Sequence, residues 1–259
     1  MIQIKKMMLL AIGPLLTLLL SACTSNAGPQ KTGNAVNTNN GFAVLELFTS
    51  EGCSSCPPAE KLLEQIEKET TGEPVYILAY HVDYWDRLGW KDVFSDHTYS
   101  DRQYEYSRHF DGQVYTPQLV FNGVVEGVGS DESFVRNTLT KMLGKNNVAA
   151  LKINAEEQSG KLSVSYETKG MVSNMRLEIA LVQKHAISNV IRGENKGRTL
   201  SHAQIVRSLS VFDLGNKTKG TETIQLPQDF DKQGWEIIGL FRNADSNEIV
   251  AASRSSINN

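Results

Sequence analysis

A chain of 259 residues, 40% hydrophobic and 21% charged, has the composition of an ordinary globular protein and enough length for two modest domains. Its net charge of −3, with no run that concentrates Lys and Arg among aromatics, excludes a general nucleic-acid surface. No GxSxG, P-loop or HExxH pattern occurs, so hydrolase, nucleotide-binding and zincin chemistries have no support.

The first residues read as an export signal over 1–22. Lys5 and Lys6 precede an apolar run over 7–20, broken only by Gly13, Pro14 and Thr17. That run is too short, and too interrupted by proline, to be a spanning helix. Leu20-Ser21-Ala22-Cys23 resembles the bacterial lipobox. The resemblance implies that Cys23 becomes the first mature residue and carries acyl chains, each buried methylene adding about 0.8 kcal/mol of membrane affinity. Thr24, where an Asp favours inner-membrane retention, leans toward an outer-membrane address. The expected location is the cell envelope, lipid-anchored and facing the periplasm. An ordinary cleavable signal with an incidental Cys is the competing reading. Residues 23–40 are Ser-, Asn-, Gly- and Thr-rich without periodicity and read as a flexible tether.

A first domain is expected over 41–147. The β-prone run 42–48 reads as a strand. After Cys56, apolar Ala59, Leu62, Leu63 and Ile66 fall on one helical face, with Pro57 and Pro58 tolerated in the first turn and Gly72 available to stop it. A buried strand follows over 75–82, then a polar, aromatic stretch containing a helix near 98–109. A strand over 118–121, a two-residue Asn122-Gly123 turn and a return strand over 124–128 form a hairpin. Ser130 is the expected cap of a helix bearing Phe134, Leu139 and Met142. Beyond 148 the texture changes to short alternating runs at 150–155, 161–167, 176–183, 203–211, 221–226, 235–242 and 248–254. Seven such strands predict a small β-sandwich-like domain over 148–259.

With Cys23 given to lipid, Cys53 and Cys56 remain, three apart. Their loop is too short to constrain the unfolded chain much, so an exported protein uses such a pair for chemistry more readily than for stapling. They lie where a strand ends and a helix begins, and unpaired amides there favour a thiolate at Cys53. Cys53 is thus the expected attacking thiol, exposed enough to be reached by another protein, and Cys56 the resolving one. Glu51 and Glu60 are expected to oppose this by repelling anionic sulfur. The redox reading calls for no metal and no other cofactor; its partners are protein or small-molecule thiols and disulfides.

The order strand, helix, strand, helix, strand, hairpin strand, helix resembles the thioredoxin fold, an α/β architecture. In that fold a cis-Pro faces the cysteine pair and contacts substrate, a role the resemblance gives to Pro117 after Thr116. More specifically, ELFTSEGCSSCPPA at 46–59, HVDYWDRLGW at 81–90, VYTPQ at 114–118 and RGENKGRTLSH at 192–202 resemble a bacterial family of secreted thioredoxin-like proteins catalogued as a domain of unknown function. The likeness covers nearly the whole mature chain and implies a fold and a redox pair, but no substrate.

Other residues are candidates to support that site. Thr116, His81, Asp83 and Trp85 are candidate substrate contacts, with His81 or Asp83 able to shuttle a proton; Trp90 is assigned to core. Cys53, Cys56 and His81 together offer an alternative, a copper- or zinc-handling site. A scaffold with a static disulfide is a further alternative. His97 and His109 read as solvated. The segment bearing Arg192, Asn195, Arg198 and His202 reads either as an ordered connection, the preferred view, or as a loop that docks on the redox face or recognises an anionic partner.

Overall fold

The computed structural model describes residues 41–170 and 174–258. The export signal, Cys23 and the tether lie outside the described residues.

Strand β1 (Ala43–Thr49) is buried along its whole length. That is why its sequence reads as a continuous apolar run rather than an alternating one: both of its faces are covered. Strand β2 (Val75–His81) pairs with it in parallel, and β3 (Gln118–Phe121) pairs antiparallel on its other side. Strand β4 (Val125–Val128) completes the hairpin. Its turn places Asn122 and Gly123 at φ 47° and 73°. A Cβ at Gly123 would stand 2.0 Å from the Asn247 carbonyl oxygen, so only glycine fits.

Three helices cover this sheet. On one face, α1 (Pro57–Glu69) and α3 (Glu132–Leu143) bury Leu62, Leu63, Ile66, Val135 and Leu139 against Leu45, Leu47 and Phe121. The other face takes α2 (His97–His109), whose Tyr99 and Tyr106 pack on Phe48 and Tyr80. A 3-10 helix (Asp83–Leu88), absent from the sequence expectation, links β2 toward α2. Capping of α3 falls to Asp131, not Ser130: its carboxylate accepts from the Phe134 amide at 3.0 Å.

The C-terminal strands do not form a sandwich with two sheets of its own, and this corrects the expectation. Strands β5 (Ala150–Gln158), β6 (Lys161–Lys169), β9 (Lys219–Gln225) and β12 (Ile257–Asn258) make a four-stranded sheet in the order β12-β5-β6-β9. By contrast β7 (Met175–Asn189), β8 (Thr199–Asp213), β10 (Trp235–Asn243) and β11 (Ile249–Ser255) extend the first sheet, giving the order β11-β10-β7-β8-β2-β1-β3-β4. Strands from both sides of the expected 147/148 boundary therefore share one eight-stranded mixed sheet. The small sheet packs Leu151, Ile153, Leu162 and Val164 on Leu177, Ile179, Leu181 and Ile237 of that extension. Only this half of the sandwich expectation survives: two sheets do face each other, one of them continuous with the α/β part.

Strands β7 and β8 are 15 residues each, about 50 Å of extended chain. Their hairpin is long enough to root one end in the core beneath the small sheet and carry the other to the mouth of β1 and α1.

Candidate functional site

Chain leaving β1 passes through Ser50, Glu51 and Gly52 before reaching Cys53. Gly52 is packed so tightly that an added Cβ would sit 3.2 Å from Cβ of Trp85. Cys53 and Cys56 are joined in a disulfide. Cys56 is the N-cap of α1 and its side chain makes no capping bond; its carbonyl accepts from the amides of Ala59 and Glu60. The pair thus occupies the strand-to-helix position that the sequence indicates.

The Thr116–Pro117 peptide bond is cis and Pro117 is buried. Trp85 Nε1 donates to Thr116 Oγ1 at 2.9 Å, and that hydroxyl donates to Cys53 Sγ at 3.3 Å. Ser55 Oγ lies 3.3 Å from Cys53 Sγ and donates to the Thr116 carbonyl at 3.4 Å. Thr116 and Trp85 are therefore brought to the sulfur. Asp83 is turned away, its carboxylate taken by Ser100 at 2.5 Å and the exposed His97 at 3.0 Å. His109 is also exposed.

One expectation is corrected outright: neither sulfur-bearing residue reaches solvent, Cys53 and Cys56 both being 0% exposed. Ser55 and Thr116 stand against Cys53 Sγ, and the segment between β7 and β8 docks on the turn that carries the pair. Gly193 and Gly197, at φ 77° and 81°, fold that segment into a compact strap. Asn195, wholly buried, donates from Nδ2 to the carbonyls of Glu51 at 2.8 Å and Cys53 at 2.9 Å. Glu194 accepts from the Ser54 amide at 3.0 Å. That bond holds its carboxyl below the usual range. Arg198 donates to Asn195 Oδ1 at 2.8 Å, which orients the amide; Arg192 is exposed. Docking on the cysteine turn, the less favoured of the two sequence readings, is what this segment does.

Beneath the pair lies a buried polar cluster. His81, 0% exposed, shares a 2.7 Å hydrogen bond between Nδ1 and Asp92 Oδ2, and the same oxygen accepts from the Glu51 amide at 2.8 Å. His202 Nδ1 lies 2.6 Å from Glu60 Oε2, while its Nε2 is 3.4 Å from Glu51 Oε1 and 3.1 Å from Ser188 Oγ. Thr49 donates to Glu60 and Trp90 Nε1 to Glu51. Trp90 is half-buried and holds a charge rather than merely filling core. The two imidazoles stack edge-on, 5.1 Å between centroids, with Phe94 against both.

Burial works against a charge on His202, but the Glu51 and Glu60 carboxylates outweigh it and push its pKa up to about 10. Glu60 is likewise held below its ordinary value: burial raises it, and the bond to His202 overcomes that. For Asp92 the opposition to burial comes from His81. The expected repulsion of anionic sulfur by Glu51 and Glu60 is therefore largely cancelled by His202, 142 residues beyond Glu60. Sequence reasoning missed this partner because nothing local couples a strand-entry His to a helix Glu. The one signal was the RGENKGRTLSH string itself, dense in polar residues and ending on that His.

Among the described residues, the group whose ligand atoms converge is Glu60, His81 and His202, all within 4.8 Å of one another. The sulfurs of Cys53 and Cys56 are not part of it, so His81 is not joined to the cysteines as the alternative sequence reading has it.

A family model described as "Protein of unknown function (DUF1223)" matches residues 44–241. Among solved structures, the crystal structure of protein AGR_C_4864 from Agrobacterium tumefaciens is 25% identical and covers 84% of this chain and 94% of its own, with a TM-score of 0.61. A domain of the outer membrane lipoprotein Omp28 from Porphyromonas gingivalis covers 43% of this chain and 96% of its own at 13% identity. Its TM-score is 0.29. No curated protein matches the chain.

Proposed function

The chain belongs to the family of proteins of unknown function DUF1223, and from that premise we propose that it is a thiol–disulfide oxidoreductase with a thioredoxin-like core. It is exported and anchored to the cell envelope through lipid on Cys23, facing the periplasm. The observation that carries the reading is the Cys53–Cys56 disulfide at the start of α1 with the Thr116 hydroxyl 3.3 Å from Cys53 Sγ. A donor placed on that sulfur stabilises it as a thiolate when the pair is reduced, and the thiolate is the reactive form.

The electrons balance within the pair. A partner thiolate attacks Cys53 Sγ, the Cys53–Cys56 bond breaks, and Cys56 leaves as a thiolate. A second partner thiol then displaces Cys53 and departs as a disulfide, leaving the protein as the dithiol. The reverse sequence oxidises the protein and reduces the partner. Because the sulfurs are covered, attack requires the Ser54 and Ser55 turn and the Asn195 strap to move aside first. The partners are thiols and disulfides of proteins or small molecules.

Replacing Cys56 with Ser leaves Cys53 unable to resolve, so a folded Cys56→Ser protein in cells accumulates reductant-sensitive adducts on Cys53. A folded variant that captures nothing contradicts the reading. One observation favours a second reading, a static disulfide in a scaffold: both cysteines are 0% exposed.

A further inference from the structure

We propose that the buried cluster beneath the cysteine pair is a binding site for one divalent transition-metal cation of the zinc class, held by Glu60, His81 and His202. Three observations support it, none involving the sulfurs.

The first is convergence. Glu60, His81 and His202 each present a ligand atom within 4.8 Å of the others. Ligands at about 2.0–2.1 Å around a tetrahedral ion stand about 3.3 Å apart, so side-chain shifts of roughly an ångström close the set. The three side chains come from α1, β2 and β8, elements that hold their backbones in place.

The second is that the cluster leaves an atom without a partner where a ligand would use it. His81 Nε2 is buried and makes no hydrogen bond. Buried polar atoms ordinarily find a partner. His81 is moreover arranged as a metal-binding histidine is: its Nδ1 is engaged by the Asp92 carboxylate at 2.7 Å, which fixes the ring and leaves Nε2 as the ligating nitrogen.

The third is charge. Glu51, Glu60 and Asp92 face two imidazoles in a volume shut off from water. Even with both rings protonated the cluster remains negative, and a buried net charge is costly unless compensated. A divalent cation supplies that compensation, and an imidazole–carboxylate set suits zinc and its neighbours better than calcium or magnesium. The inference stands apart from the redox reading.

The test uses the full chain with its disulfide intact, so that the sulfurs are unable to ligate. The protein is refolded with Co2+ or Zn2+ to give the buried site access to metal, then freed of excess ion. The expected result is one ion per chain and a cobalt spectrum without sulfur-to-metal charge transfer. His81→Gln is expected to weaken binding by at least about 100-fold, and Asp92→Asn by about tenfold, with unchanged far-ultraviolet dichroism. Should either variant fail to fold, X-ray absorption of the zinc-loaded parent decides, through a nitrogen–oxygen shell with imidazole scattering. No retained metal after refolding overturns the proposal. So does binding that appears only on reduction and disappears in Cys53→Ser.

Discussion

Among the described residues, two clusters of buried charge stand out, and they are finished differently. In the first, Arg102 donates to Glu46 at 2.7 Å and to Glu178 at 2.8 Å, and Arg242 donates to Glu178 at 2.9 Å. Tyr106 completes Glu46. Two permanent cations meet two carboxylates, and the network ties β1 and α2 to β7 and β10. In the second, three carboxylates meet two histidines, and His81 Nε2 is left without a hydrogen bond. A matched set of guanidinium and carboxylate groups is a fastening. A mismatched, titratable set next to a disulfide is where chemistry belongs.

The comparison breaks most visibly at Arg102. Removing one partner of a buried ion network leaves the other charge uncompensated, at a cost of about 3–5 kcal/mol. Arg102→Met is expected to lose that much in urea unfolding while the reduction potential of the cysteine pair stays put. A loss under about 1 kcal/mol, or a moved potential, means the first cluster is not a simple fastening.

Asn195 probes the second region. Asn195→Ala frees the carbonyls of Glu51 and Cys53. The expected stability loss is about 1–3 kcal/mol, with reduction by dithiothreitol accelerated several-fold as the strap loosens. An unchanged reduction rate contradicts the strap's hold on the cysteine turn.

A smaller effect comes from acid. Burial raises the Glu178 pKa, but Arg102 and Arg242 outweigh it and hold it below its ordinary value of 4.5. A depressed carboxyl contributes stability above the unfolded value and loses it as pH falls through the folded one. Stability is therefore expected to fall below about pH 4.5 by up to about 1.4 kcal/mol per pH unit from this group. Melting temperatures of the parent and of Glu178→Gln between pH 3 and 6 check it: the variant's slope is the shallower. Equal slopes remove Glu178 from the account.

Much of the α/β half was legible because its signals are local. The 3.6-residue spacing of Ala59, Leu62, Leu63 and Ile66 and the Asn122-Gly123 turn each depend on neighbours in sequence. What was illegible depended on partners far away. β7 is buried without interruption from Leu177 to Val182, as a strand covered on both faces is, but nothing in the pattern of β7 or β8 says that β8 pairs with β2, through Ala79 and Ile205. The outer residues of β7, from Lys184 on, stand half-buried or exposed, Ile187 included, and show no buried apolar face, so the continuation as strand was invisible. The cysteine pair was found from its spacing, but its exposure was misjudged, because the groups packed around it, Thr116 and the strap bearing Asn195, lie 63 and 142 residues away.

The reduction potential of Cys53–Cys56 tests the central claim most directly. A disulfide that exchanges electrons with partners is expected above about −300 mV, in the range of roughly −270 to −120 mV spanned by working pairs of this kind. A value below about −300 mV, where structural disulfides lie, contradicts it.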